Sequence, residues 1–103
     1  MGPHIIESFM AADTIRVRAV ARGRVQMVGY RAFVLTHAER HGLRGTVRNE
    51  PDGSVEAVLE GPQEAVDQVL AELRRGPSHA RVDALDVCRL APTGELPPMT
   101  VTA

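Results

Sequence analysis

Twice along this chain a stretch of period two gives way to a stretch of period 3.6, and that order limits the fold more than any other feature. Residues 14 to 22 alternate, with Ile15, Val17, Ala19 and Ala21 on one side and Arg16, Arg18 and Arg22 on the other. Such alternation marks a half-buried strand. After the glycine-containing segment GRVQMVGY the pattern switches. Tyr30, Val34, Ala38 and His41 form a stripe with Phe33 beside it, which predicts a helix from Tyr30 to His41 that Gly42 ends. Residues 43 to 50 return to period two, with Leu43, Val47 and Asn49 on one parity. Pro51-Asp52-Gly53-Ser54 reads as a turn, because proline presets one dihedral and glycine accepts a positive φ. Residues 54 to 60 alternate again, Val55, Ala57 and Leu59 against Glu56 and Glu60, so the two runs form a hairpin. Val66, Val69, Leu70 and Leu73 then recur at helical spacing. Pro62 suits the first position of that helix, and Gly76-Pro77 stops it. A strand follows over 80 to 90, with a slip of parity between Val82 and Leu85 that predicts a bulge or bend. A short strand closes the chain at 99 to 102.

Two helices in this order must cover one face of a four- or five-stranded antiparallel sheet. The expected class is therefore α+β, a ferredoxin-like βαββαβ sandwich. That architecture hosts enzymes, ligand sensors and RNA binders, so function has to come from particular residues.

Composition narrows the field. The 103 residues suffice for one domain and not for two. Residues 1 to 13 read as an irregular leader, with Met10 as a plausible native start, and 14 to 103 as the domain. The leader lacks the cationic start and apolar run of a secretory signal. No window approaches 18 apolar residues, so no membrane span is expected. A lone cysteine, Cys88, excludes a disulfide scaffold and a cysteine-rich zinc site, and favours a reducing, cytoplasmic compartment. Cys88 itself is expected as a small buried filler. The chain contains arginine and no lysine, which excludes Schiff-base chemistry. His37 and His41 stand at i, i+4 on the first helix, but no third ligand at useful spacing completes a metal site, and one or both are expected to pack at the helix edge.

The segment Gly23 to Arg31 carries the chemistry. A glycine-containing turn that leads from a strand into a helix can aim successive N–H groups at an anion, and the helix start adds free donors and a positive dipole end. Arg31 lies in the first turn, where its planar guanidinium can take two phosphate oxygens at once. Arg16, Arg18, Arg22 and Arg24 form a row that is expected to pair in part with Glu56 and Glu60.

The segment GRVQMVGYR, followed by Ala38, Gly42-Leu43, Gly45, Val47, Asn49, Asp52-Gly53 and Val55, with Gly61 ahead of the second helix and Gly76-Pro77 behind it, resembles the acylphosphatase family. The resemblance covers about residues 14 to 90. It implies hydrolysis of acyl phosphates to a carboxylate and inorganic phosphate without metal or cofactor and without a phosphoenzyme; a small monomer is the default expectation. By similarity, Arg31 and the loop N–H groups of Val25, Gln26, Met27, Val28, Gly29 and Tyr30 hold the phosphoryl oxygens. By similarity, Asn49 positions the attacking water. Two departures stand out: Met27 occupies a position where the family usually has glycine, and Thr46 replaces an aromatic. The alternatives are a non-catalytic small-anion module, an RNA-binding module of the same fold, and a carbamoyl phosphate module of hydrogenase maturation. RNA modules stack bases on aromatics of the central strands, and here residues 14 to 22 and 54 to 60 carry none. The hydrogenase-maturation module normally opens a much longer chain.

Overall fold

The computed structural model describes residues 14–103, and the predicted leader lies outside the described residues. The elements run β1 (Thr14–Arg24), α1 (Tyr30–Arg40), β2 (Arg44–Asn49), β3 (Val55–Pro62), α2 (Gln63–Arg75), β4 (Arg81–Leu90) and β5 (Thr100–Val101). The five strands lie in the order β4-β1-β3-β2-β5. Both helices pack on one face, as the alternating strands require. Val17 and Ala19 of β1 lie opposite Leu59 and Ala57 of β3, and Val47 of β2 lies opposite Ala57. These side chains, with Val34 and Ala38 of α1 and Val66, Val69 and Leu73 of α2, make one buried cluster. Each fully buried Val or Leu contributes roughly 1.5–3 kcal/mol relative to exposure.

The predicted slip of parity in β4 is a bulge. Arg22 pairs with Ala84 but Gly23 with Val82, which leaves Asp83 as the extra residue. Gly45 is fixed by space: its φ is 150°, and an added Cβ would lie 1.8 Å from the carbonyl oxygen of Val58 on β3.

Three expectations are corrected. The sheet is mixed, because β5 runs parallel to β2, with Val47 beside Val101 and the N–H of Thr102 donating to the oxygen of Val47 at 2.9 Å. A strand of two residues carries no readable periodicity, so its direction could not be inferred. Pro62 is the N-cap of α2 and ends β3, one position before the helix starts. Cys88 is exposed, because it lies opposite Arg18 on the helix-free face of an edge strand.

The helix-free face is held by ion pairs. Arg16 Nε reaches Glu60 at 2.8 Å and Arg18 Nε reaches Glu56 at 2.6 Å. Arg48 joins Glu56 to Glu50, and Arg22 pairs with Asp86 and Asp52. Glu60 also accepts the N–H groups of Thr93 and Gly94, at 3.1 and 2.9 Å, and so ties down the loop ahead of β5.

Candidate active site

The segment from Val25 to Gly29 leaves β1 and enters α1 through two left-handed residues. Met27 has φ 63° and Gly29, the N-cap of α1, has φ 81°. Gly29 takes that conformation without steric cost; Met27 does not, since its Cβ crowds the backbone there. This explains why a glycine suits position 27, and here the methionine itself adopts a left-handed conformation.

The consequence is a cluster of unused donors. Gly29 has no side chain to cap the helix, and no acidic residue stands in the first turn of α1. Among the described residues, the first turn or cap bond after β1 is Phe33 N–H to Gly29 oxygen, at 3.0 Å. No such bond engages the N–H groups of residues 26 to 32. Free donors at a helix start, together with its positive dipole end, make a seat for an anion.

Two anchors hold this segment. The Tyr30 ring is buried, and its hydroxyl donates to the carbonyl oxygen of Leu73 on α2 at 2.8 Å. Burial pushes that phenol up, so it stays protonated and serves the core. Gln26 Nε2 donates to the oxygens of Glu50 and Ser54, at 2.8 and 2.9 Å. The Gln26 side chain thus fastens the loop to the β2–β3 turn, a role its place in the motif did not disclose.

A cavity of about 280 Å³ opens here, lined by Val25, Met27, Gly29, Tyr30, Arg31, Ala32, Leu35 and Val101. It brings together five of the eight predicted site residues: Val25, Met27, Gly29, Tyr30 and Arg31. Gln26, Val28 and Asn49 are not among its lining residues. Arg31 is half-buried and, among the described residues, makes no ion pair or hydrogen bond. Asn49 ends β2 on the parity of buried Val47, next to Glu50, whose oxygen Gln26 grips. Its Oδ1 is buried and has no hydrogen-bond partner among the described residues. A buried carbonyl in that state is a ready acceptor for a water.

Sequence reading missed Ala32, Leu35 and Val101. Leu35 is four residues after Arg31 on the same helix face, a spacing that could have indicated it. Val101 enters through the parallel pairing of β5 and left no signal. His37 stacks on Phe33 with ring centroids 4.4 Å apart and approaches Glu72 at 4.0 Å, and His41 donates from Nδ1 to the oxygen of His37. Both pack at the edge of α1, away from the cavity.

The acylphosphatase family model matches residues 17–97. The acylphosphatase of Methylococcus capsulatus is 55% identical over 80 residues, covering 78% of this chain and 87% of that protein. Among solved structures, the Bacillus subtilis acylphosphatase superposes with a TM-score of 0.83 at 29% identity, over 86% of this chain and 99% of that one. An acylphosphatase from Coxiella burnetii gives 0.84 at 25% identity, over 90% and 97%. Residue motif, backbone path and relatives agree, and the chain belongs to the acylphosphatase family.

Proposed function

We propose that this protein hydrolyses acyl phosphates, with Arg31 and the N–H groups from Val25 to Tyr30 holding the phosphoryl group and Asn49 aiming the attacking water. Hydrolysis of acyl phosphates is what family membership supports. The assignment of roles rests above all on one observation: a half-buried guanidinium with no partner of its own stands beside the uncapped start of α1.

The chemistry asks little more. Water attacks phosphorus, the bond from phosphorus to the bridging oxygen breaks, and the carboxylate departs with the electron pair. The conjugate acid of that leaving group has a pKa of roughly 4, so it leaves unprotonated at neutral pH. No strong general acid is needed, and among the described residues none lines the cavity. In the transition state, charge spreads over the three non-bridging oxygens. Fixed N–H dipoles and an always-charged guanidinium stabilise that charge without reorganising. A neutral amide can orient water by accepting its proton in a hydrogen bond, and it brings no negative charge near the phosphoryl group.

The reading makes inorganic phosphate the second product and a competitive inhibitor. It takes a small monomer as the default working unit, and a reducing, cytoplasmic setting from the lone cysteine. RNA binding is disfavoured physically: the helix-free sheet face carries no aromatic among the described residues, and Arg16, Arg18, Arg22 and Arg48 there are already paired. The test is release of phosphate from benzoyl phosphate with chelator present. Turnover that persists in chelator and is competitively inhibited by phosphate supports the reading; absence of turnover above the uncatalysed rate overturns it.

A further inference from the structure

We infer that the Gln26 side chain is a positioning residue for hydrolysis: it sets the place of Asn49 relative to the anion loop and so acts on turnover through Asn49. The inference rests on the roles proposed above for the loop and for Asn49, and it adds the group that keeps the two in register.

The need for such a group follows from the sheet. The anion loop continues β1, whereas Asn49 ends β2, and β3 lies between those strands. The pairing of β1 with β3 stops at Ala21 and Val55, four residues before the loop begins at Val25. Sheet hydrogen bonds therefore do not tie the loop to Asn49. Gln26 does so from one atom. Its Nε2 donates to the carbonyl oxygens of Glu50 and Ser54, at 2.8 and 2.9 Å. Those residues flank the last pair of the hairpin, Asn49 opposite Val55. Among the described residues, no other hydrogen bond joins residues 25 to 29 to residues 49 to 54.

The turn that Gln26 grips is itself stiff. The N–H of Glu50 donates to the oxygen of Ser54 at 2.9 Å, and the N–H of Gly53 to the oxygen of Glu50 at 3.1 Å. Asp52 Oδ1 accepts both the N–H and the hydroxyl of Ser54, at 3.0 and 2.6 Å. Each carbonyl held by Gln26 thus already has one donor, and the amide fills its second acceptor place. A primary amide has the two N–H groups that this double contact requires, on a stem that reaches across from the loop. Water aimed by Asn49 must meet phosphorus held by the loop within a few tenths of an ångström. A misplacement of about 1 Å, even one caused far from the chemistry, costs about 10²-fold.

The experiment is a double-mutant cycle. Values of kcat and KM for benzoyl phosphate, and the inhibition constant of inorganic phosphate, are measured for the wild type, Gln26→Met, Asn49→Ala and the double variant. Methionine has nearly the length of glutamine and no N–H. Gln26→Met should lower kcat by about 10–100-fold and change the phosphate inhibition constant by less than about threefold. In the Asn49→Ala background the same substitution should lower kcat by less than about twofold, because the group it positions is gone. Thermal melts establish that each variant is folded. Should Gln26→Met not fold, Gln26→Asn, whose amide falls one methylene short of the two carbonyls, takes its place in the cycle. Equal losses of kcat in both backgrounds, an unchanged kcat, or a phosphate inhibition constant that rises in step with the loss of kcat would overturn the inference and leave Asn49 its role. An Asn49→Ala variant with undiminished kcat would instead overturn that role, and the inference with it.

Discussion

The arginines of the helix-free sheet face and Arg31 carry the same group in opposite circumstances. On the open face, Arg16, Arg18, Arg22 and Arg48 each contact at least one carboxylate, and their charge is consumed in holding strands together. Arg31 has no such partner among the described residues, although it is half-buried and so cannot hydrate as freely as a surface side chain. Lack of a partner alone decides nothing. Arg24 is equally unpaired among the described residues, but it is exposed and does not line this cavity. What marks Arg31 is the coincidence of partial burial, an unpaired charge and neighbouring N–H donors that also lack acceptors. Groups left unsatisfied together, in one place, are groups kept for a ligand.

The largest expected effect breaks this comparison directly. Arg31→Ala should lower kcat/KM for an acyl phosphate by about 10³-fold or more, the scale seen when a transition-state guanidinium is removed. Arg18→Ala, on the helix-free face of the sheet, should leave kcat/KM within about twofold, since its charge already belongs to Glu56. Steady-state kinetics on the two variants side by side decide it. Equal losses would mean that a diffuse positive field, and not one guanidinium, holds the substrate.

Asn49→Ala should come next, with a fall in kcat of about 10²–10³-fold. Under the proposed role of aiming water, the inhibition constant for inorganic phosphate should stay the same while turnover drops. A parallel weakening of phosphate binding would place Asn49 with Arg31 in the cradle and remove it from the water.

Glu60 sharpens the structural side of the contrast. Burial pushes its carboxyl up, but the hydrogen bond from Arg16 and the N–H groups of Thr93 and Gly94 outweigh that, and the net direction is below its ordinary value of 4.5. A carboxyl lowered on folding contributes stability that is fully present above the unfolded-state value. That contribution is lost as pH falls through the folded-state value. Thermal melts should therefore show stability decreasing below about pH 4.5. Glu60→Gln should cost about 1–3 kcal/mol at neutral pH, flatten the acid limb, and leave kcat unchanged. An unchanged acid limb would show that the Arg16–Glu60 pair contributes nothing to the fold.

The same contrast explains how much was legible before any coordinates. The buried face of β1 and the stripe of α2 could be read because each faces one environment along its length. Arg31 was legible because the strand, glycine loop and helix start are contiguous in sequence. Val101 as a lining residue was not, since it reaches the cavity only through a parallel pairing of two residues with β2. Cys88 misled for a related reason. It alternates with Val87 in a strand that looks like any other, but β4 is an edge, and its outer residues have neither helix nor strand to cover them. Gln26 stood in the motif as a backbone donor, yet its side chain does separate work by gripping two carbonyls of the β2–β3 turn, contacts that join residues 24 and 28 positions apart.

The smallest expected effect falls on the loop itself. Met27 at φ 63° carries a left-handed cost of about 1–2 kcal/mol that glycine would not. Glycine would also give the unfolded chain more freedom, which takes back roughly 0.5–1 kcal/mol. Met27→Gly should therefore raise stability by no more than about 1.5 kcal/mol, read as a small increase in the denaturant midpoint with the slope unchanged. The sign is the informative part. A stabilised variant would mean that the left-handed conformation at position 27 costs more than any contact of the methionine side chain returns. A destabilised variant would mean that Met27 makes contacts in the folded protein that its exposure does not reveal.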